Sequence, residues 1–285
     1  MFKRQTTGSV VCASCGYLVG VNDETCYHCG RRNPGLWGFA PALRSLGNDL
    51  GFVPFMTGLC VLMFALTLLA TGGLSMGGGI AGLLAPSTYA LAAFGASGYA
   101  PVFGYGRWWT VLSAGFLHGS LLHLILNLWG LRILAPMVSE LYGPGRLVLI
   151  YTVSTIMGFL LSSVAGYLLV FLPFNLHFGA SVTIGASAAI FGLIGAVLYY
   201  GHRTGARHIS SQAWSWAIPN VILGLLFPGI DNAAHLGGLA GGYLMGLILD
   251  PLKPERVKHM FWAVVCLGLS VASIVVSFLT RGDLR

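Results

Sequence analysis

Seven long apolar segments constrain this chain more than any other feature of its sequence. Each approaches the roughly 20 residues that an α-helix needs to cross a bilayer, although the fifth is shorter. Only 8% of the 285 residues are charged and 56% are hydrophobic, whereas a soluble domain is about 25% charged. The pattern therefore predicts an all-α polytopic membrane protein. The segments are residues 52–71, 117–139, 147–171, 185–201, 213–227, 233–250 and 260–280.

The distribution of Lys and Arg predicts how these segments are oriented. With the N-terminus inside, 11 of the 15 Lys and Arg residues fall in cytoplasmic segments and three in outer segments. Since positive charge is enriched on the cytoplasmic side, we expect a multi-pass protein of the cell membrane with a cytoplasmic N-terminus. We interpret the net charge of +7 as loop charge that faces anionic lipid. The sequence has no basic stripe with interleaved aromatic residues, so nucleic acid is not an expected partner.

Four cysteines near the N-terminus form two pairs. Cys12 and Cys15 are separated by two residues, as are Cys26 and Cys29, and each pair is followed by a glycine. Two such pairs are typical of a structural zinc site, in which four thiolates close a tetrahedron around Zn²⁺. Two disulfides in an exported domain are the alternative. We favour zinc, because a module this small has almost no core and needs a metal to fold.

Five polar side chains within the apolar segments are candidates for a site. A polar group inside a span is costly and usually faces the protein interior. Each one taken alone is explained by a contact across a helix interface. Span order and charge bias, however, place all five in the outer halves of their spans, which favours a functional site. They are His118, His123 and Asn127 in the second span, Ser187 in the fourth and His235 in the sixth.

A Ser and a His at one level suggest nucleophilic acyl transfer. The Ser187 hydroxyl needs a base to take its proton, and a neutral His235 is suited to that role. Side-chain N–H groups of His123 and Asn127, with the backbone N–H of Ser187, would stabilise charge on a carbonyl oxygen. We expect Asp231 in the loop before the sixth span, so no carboxylate is predicted to orient His235. The pattern indicates a Ser–His dyad that needs no cofactor for catalysis.

A stripe of small residues predicts how the two helices would meet. Glycines at i+3, i+7 and i+11 from His235 line one face of the sixth span. Small residues allow helices to approach closely in lipid, and the fourth span offers a matching row. The rows are Gly238, Gly242 and Gly246 on the sixth span, and Ala188, Gly192 and Gly195 on the fourth.

Four pieces of the chain carry a family resemblance. They are GRWWTVLSAGFLHGSLLHLILN at 106–127, ELYGPGR at 140–146, GASAAIFG at 185–192 and NAAHLGGLAGG at 232–242. In order and placement they are similar to the rhomboid family of intramembrane serine proteases. The resemblance implies that Ser187 is the nucleophile and His235 the general base. It also implies that His123 and Asn127 line the oxyanion hole.

The resemblance also implies roles for residues near Ser187 and His235. His118 would lie near the oxyanion hole, and Phe191 stands where family members often have a Tyr that packs on the His ring. Ala188 replaces the last glycine of the family's GxSG motif. Its methyl group is expected to be tolerated on a helix and to tighten the contact with the sixth span.

The first outer loop, about residues 73–116, departs from the family pattern. The family's Trp-Arg pair is replaced by Trp109 and Thr110, with Arg107 placed earlier. This puts the anchoring of the loop in question. Trp108 and Trp109 suit the headgroup level of a membrane, either as a plain interfacial anchor or as a substrate-positioning pair.

The sequence thus predicts four parts. A zinc-ribbon module spans 1–32, a basic linker 33–50, and a rhomboid-like six-helix transmembrane core 51–250. An extra C-terminal transmembrane helix and tail span 251–285, as in the six-plus-one arrangement of some family members.

The leading functional hypothesis is a serine endopeptidase that cleaves transmembrane segments of membrane proteins near the outer face. The alternative is a catalytically inactive family member that binds and escorts membrane helices. A small transporter is disfavoured, because the spans hold almost no ionisable residues or broken paired helices at the midplane. Expected partners are membrane-protein substrates and the lipid bilayer. The zinc module leaves room for an unidentified protein partner.

Overall fold

The helices of the molecule follow the predicted segments. The computed structural model describes residues 3–13, 15–71, 82–171, 178–227 and 229–284. Part of the predicted outer loop, 72–81, lies outside the described residues. The described α-helices are α1 (Ala40–Arg44), α2 (Phe52–Thr71), α3 (Thr88–Ala93), α4 (Thr110–Ser113), α5 (Leu121–Tyr142), α6 (Pro144–Leu169), α7 (Ser187–Thr204), α8 (Arg207–Leu226), α9 (Asn232–Leu249) and α10 (Val257–Leu279).

Seven of these helices are long, and each overlaps one of the seven apolar segments. Four of them, α2, α5, α6 and α10, are long and apolar enough to cross a membrane on length and composition alone. Helices α7 and α9 are richer in Gly and Ala, and α8 begins with polar turns. Large apolar side chains such as Leu126, Trp129, Leu247 and Ile248 are exposed on the outside of the bundle. Contact with lipid tails accounts for such a surface, whereas water would not.

The two helix starts that differ most from the predicted ones are those of α5 and α8, and both differences have a local cause. Helix α5 begins at Leu121 rather than at 117, because Ser120 accepts a hydrogen bond from the backbone N–H of His123 (3.2 Å) and caps the helix. His118 therefore lies before the helix and not inside it. Helix α8 begins at Arg207 rather than at 213, because its first turns are polar and give no hydropathy signal.

The closest helix contact joins α7 to α9, and it is made by backbone atoms. A Cβ added at Gly238 would collide with the carbonyl oxygen of Ala188, and one at Gly242 with that of Gly192. In the opposite direction, a Cβ added at Gly195 on α7 would collide with the carbonyl oxygen of Leu239 on α9. The predicted pairing of the two small-residue rows is confirmed here.

The ends of this contact differ from the expectation. Gly246 faces the side chains of Tyr142 and Tyr199 rather than the small-residue row. The Ala188 methyl lies 2.7 Å from where a Cβ of Gly158 on α6 would stand. The methyl therefore packs against α6, while Ala188 also shares a buried cluster with Ala234 of α9, so the expectation that it tightens the contact with α9 stays a prediction. The Ala188 carbonyl makes the close approach to α9 at Gly238.

The first turn of α6 is joined to the connection between α9 and α10. The guanidinium of Arg146, which is buried, donates to the carbonyls of Lys253 (2.8 Å) and Pro254 (2.8 Å). The backbone N–H of Arg146 donates to Glu255 (2.9 Å). Burial raises the pKa of Glu255, while the hydrogen bond from Arg146 acts in the opposite direction. The GPGR turn thereby holds the start of α10 against the core.

The N-terminal module is a two-stranded unit with its own small core. Strands β1 (Ser9–Val11) and β2 (Leu18–Gly20) pair antiparallel. Its buried residues are Val10, Cys12, Val19, Val21 and Cys26. Such a cluster is far too small to hold a fold by hydrophobic burial alone, which agrees with a need for a metal.

A methyl group at the α7–α9 contact should destabilise the bundle. We expect Gly242→Ala to lower the free energy of unfolding by about 1–3 kcal/mol, because overpacking forces the two backbones apart. Gly268 on α10 is the matched control, since a Cβ there meets no other atom within 4 Å. Gly268→Ala should be neutral or stabilising by up to about 1 kcal/mol. Thermal unfolding in detergent measures both, and equal midpoints for the two variants would contradict the contact.

Candidate active site and metal centre

Ser187 is the first residue of α7, and a glycine turn sets its position. Gly185 has a φ of +123°, a conformation that favours glycine. Its N–H donates to the carbonyl of Ala114 (2.9 Å), which ties the turn to the short 3₁₀ helix Ala114–Phe116. Ser187 itself is half-buried. The predicted placement of this Ser on the first turn of a helix is confirmed.

The ring of His123 lies against the same turn. A Cβ at Gly185 would stand 2.7 Å from His123 Nε2 and 3.6 Å from Ser187 Oγ. Nδ1 of His123 accepts a hydrogen bond from the N–H of Gly119 (3.4 Å). A neutral imidazole that accepts at Nδ1 carries its proton on Nε2. The arrangement therefore directs an N–H donor toward the neighbourhood of Ser187. His118 is fully buried and packs edge-on against His123, with 5.1 Å between ring centroids.

His235 lies on the first turn of α9 and is buried. Its ring stacks on Phe191, one turn after Ser187, with 4.1 Å between centroids and 10° between planes. Ala188 and Ala234, which are the chain neighbours of Ser187 and His235, pack in one buried cluster. The two predicted residues are thus brought to the same level of the bundle, and the expected contact of Phe191 with the His ring is confirmed.

Asp231 has a role that the sequence reasoning missed. Its carboxylate accepts a hydrogen bond from the N–H of Ala234 (3.1 Å) and caps α9. It also accepts one from the hydroxyl of Ser162 on α6. An Asp one position before a helical pattern is a recognised N-cap signal, so the cap was available to sequence reasoning. The cap fixes the start of the helix that carries His235.

Some of the expected contacts are not made. Between residues that the structure describes, no hydrogen bond joins Ser187 Oγ to the His235 ring, and His235 Nδ1 has no partner. Catalytic hydrogen bonds are often long until substrate is bound. The amide of Asn127 donates to the carbonyl of His123 (3.0 Å) in its own helix, which leaves one of its two N–H groups for other use.

The four N-terminal cysteines converge on one point. Their sulfur atoms all lie within 4.8 Å of one another. Two of the separations are 3.8 Å, between Cys12 and Cys29, and 3.6 Å, between Cys15 and Cys26. A tetrahedral ion with bonds of about 2.3 Å to sulfur separates its ligands by about 3.8 Å. A disulfide needs about 2.05 Å, so the geometry fits a metal ion and does not fit the disulfide alternative.

Backbone N–H groups add to the character of this cluster. The N–H of Cys29 lowers the pKa of Cys26 to about 7, whereas burial raises the pKa of the Cys15 thiol to about 12. Gly16 and Gly30, which follow the two cysteine pairs, have positive φ and close tight turns onto the carbonyls of Cys12 and Cys26. Glycine adopts positive φ readily, which accounts for the glycine after each cysteine pair.

Comparison with known proteins identifies the fold. The model of the rhomboid domain matches residues 105–252, which is more than half of the chain. The chain belongs to the rhomboid family. This match covers the turn at Ser187, the helix that carries His235 and the GPGR turn.

Several curated relatives extend the likeness. The rhomboid protease GluP of Bacillus subtilis is 33% identical over 189 residues, which are 65% of this chain and 34% of the relative. RHOMBOID-like protein 4 of Arabidopsis thaliana is 31% identical over 214 residues, 68% of this chain and 51% of the relative. RHOMBOID-like protein 1 of the same plant is 32% identical over 174 residues, which are 58% of this chain and 41% of the relative. The matched regions thus span about a third to a half of these relatives' own length.

Proposed function

We propose that this rhomboid-family chain is an intramembrane serine endopeptidase that cleaves transmembrane segments of membrane proteins. The observation that carries the proposal is the stack of His235 on Phe191, one turn beyond Ser187. The stack lies where α7 and α9 approach backbone to backbone. A nucleophile and a base on two helices that cannot slide apart form the minimum set for acyl transfer.

The proposed reaction runs in two halves. His235 Nε2 takes the proton of Ser187 Oγ as the oxygen attacks the substrate carbonyl, and the C=O electron pair moves onto the oxygen. The tetrahedral intermediate collapses, the C–N bond breaks, and His235 gives the proton to the leaving amine. Water then repeats the sequence on the acyl-enzyme and releases the carboxylate product, with Ser187 Oγ reprotonated.

The negative charge on the carbonyl oxygen needs donors that are already aimed at it. We assign this role to the Nε2–H of His123, the second amide N–H of Asn127 and the backbone N–H of Ser187. The last of these is free of helix hydrogen bonding, because the first four N–H groups of a helix have no partner within it. Preorganised donors in a site of low dielectric are worth more than the same donors in water.

The proposed substrate is a membrane-spanning helix that unwinds near the outer leaflet. A peptide carbonyl within a regular helix is already hydrogen-bonded and shielded, so attack needs an extended stretch. Small residues that pack poorly in a helix would ease the unwinding. We propose a cytoplasmic N-terminus in the cell membrane and a site that opens toward the outer face, in agreement with the charge bias of the loops.

We further propose that the metal in the N-terminal module is structural zinc. A complete set of four thiolates leaves no open position for a substrate or water, which is characteristic of a structural site. The module would therefore fold with its ion and take no part in peptide hydrolysis. Residues 1–32 would form this unit and 33–50 its linker, ahead of a catalytic core over 51–250 and a final helix and tail over 251–285.

Replacing the nucleophile should abolish activity and leave the fold intact. We expect Ser187→Ala to lose cleavage of a model transmembrane substrate in liposomes and labelling by a fluorophosphonate probe, and His235→Ala to lose both to a similar extent. Ser163→Ala is the control, because Ser163 also lies in a helix, is fully buried, and within the described part of the chain donates its hydroxyl to the carbonyl of Phe159 in its own helix. Cleavage by Ser187→Ala would identify another nucleophile, and an unreactive wild type would favour the escort function.

Removing the proposed oxyanion donor should slow the chemical step. We expect His123→Ala to lower kcat about 10²–10³-fold while KM changes little, because the donor acts mainly on the transition state. Steady-state kinetics on the same substrate in liposomes measures the two constants. A rise in KM with unchanged kcat would instead assign His123 to substrate binding.

Metal analysis tests the zinc assignment. Purified full-length protein should contain about one zinc ion per chain, and Cys12→Ser combined with Cys15→Ser should lose it. Cys266→Ser is the control, since Cys266 lies far along the chain on α10. Peptide cleavage by the double variant should stay close to wild type. Folded wild-type protein without metal would contradict the assignment.

A further inference from the structure

Arg107 lies in the loop before α4, and it is buried. Only 1% of its surface is exposed. Its guanidinium donates to the carbonyl of Ala92 (2.8 Å) at the end of α3 and to the carbonyl of Ser277 (2.6 Å) on α10, and it lies 3.4 Å from the hydroxyl of Thr280. A charge this deep is retained only where several acceptors surround it. The loop is therefore bound to the last helix of the chain.

The acceptor on α10 is well suited to a cation. Ser277 lies in the last turn of α10, which ends at Leu279. The final carbonyls of a helix have no partner within it, and the helix dipole places partial negative charge there. Arg107 thus caps the C-terminal end of a helix that is distant from it in the sequence.

The Ser277 side chain makes a second set of contacts with the same loop. Its hydroxyl accepts a hydrogen bond from Trp109 Nε1 (3.1 Å) and lies 3.3 Å from the hydroxyl of Ser113 at the end of α4. Ser277 and Ser113 are fully buried. Gly95 permits this approach, since a Cβ there would lie 2.5 Å from Ser277 Oγ.

These contacts reach the turn before Ser187 in two short steps. Ser113 is followed at once by Ala114, whose carbonyl accepts the N–H of Gly185 (2.9 Å). Ser97 and Thr183 exchange two backbone hydrogen bonds of 3.0 and 2.8 Å beside it. The outer loop and the turn that carries the candidate nucleophile are therefore one hydrogen-bonded unit, and α10 holds that unit from the other side.

We propose that Arg107, Trp109, Ser113 and Ser277 form a latch through which the C-terminal helix positions the turn at Gly185. The residues act as positioning residues and do not touch the substrate. This inference rests on the proposed function, since it concerns the geometry of Ser187. The outer loop lacks the family's Trp-Arg pair, and in this proposal Arg107 and α10 anchor it instead.

Three variants test the latch. Ser277→Ala and Trp109→Phe each remove hydrogen bonds without adding volume, and Arg107→Lys keeps the charge but loses the two-pronged geometry. We expect each to lower kcat and the rate of fluorophosphonate labelling about tenfold, with KM within about twofold, because small misplacements of a reacting group reduce the rate strongly. All rates are measured well below the unfolding midpoint of each variant.

Ser273→Ala is the matched control. Ser273 lies one turn before Ser277 and is also buried, and among the residues that the structure describes its hydroxyl donates to the carbonyl of Ser270 in its own helix. It should label at about the wild-type rate.

The outcomes separate the latch from the proposed function. If the three variants label as fast as Ser273→Ala, the latch is overturned while the protease assignment stands. If wild-type protein neither labels nor cleaves, the protease assignment fails and the latch fails with it. Should Arg107→Lys or Trp109→Phe fold poorly, Ser277→Ala, which deletes a single hydroxyl group, still decides between these results.

Discussion

The backbone contact between α7 and α9 is the constraint on which the site depends. Lipid tails are as apolar as Leu side chains, so no hydrophobic force drives two helices together within a bilayer. What holds them is close van der Waals contact, which grows as the axes approach. Gly238 and Gly242 bring α9 against the carbonyls of α7. Only at this separation do Phe191 and His235 stack one turn from Ser187.

Buried arginines hold α10 at both of its ends. Arg146 binds the carbonyls of the segment that leads into the helix, and Arg107 binds a carbonyl in its last turn. A buried guanidinium is expensive unless its N–H groups find acceptors, and uncommitted carbonyls at a loop and at a helix end supply them. Because the acceptors belong to main chain, each arginine fixes backbone position and not merely a side-chain contact. Helix α10 is thereby an integral part of the fold, although it follows the residues that match the family model.

The sequence allowed the long helices, the small-residue rows and the cysteine cluster to be predicted, because each has a local or periodic signal. Apolar length marks a span, spacing marks a helix face, and paired cysteines mark a metal site. The start of α8 gave no such signal, since its polar first turns look like loop. The partner of Arg107 was equally hidden, because Ser277 lies 170 positions away and an isolated Ser in an apolar helix is unremarkable.

The surroundings of His235 are compatible with the proposed Ser–His dyad. A carboxylate next to the ring would have to be buried in a site surrounded by apolar helices, where an isolated charge is very costly. The carboxylate of Asp231, at the start of the same helix, is instead bound by the N–H of Ala234 and the hydroxyl of Ser162. It therefore fixes the helix and not the ring. The plane of the His235 ring is set by its stack on Phe191. This contact orients the ring without placing a charged group in the apolar surroundings.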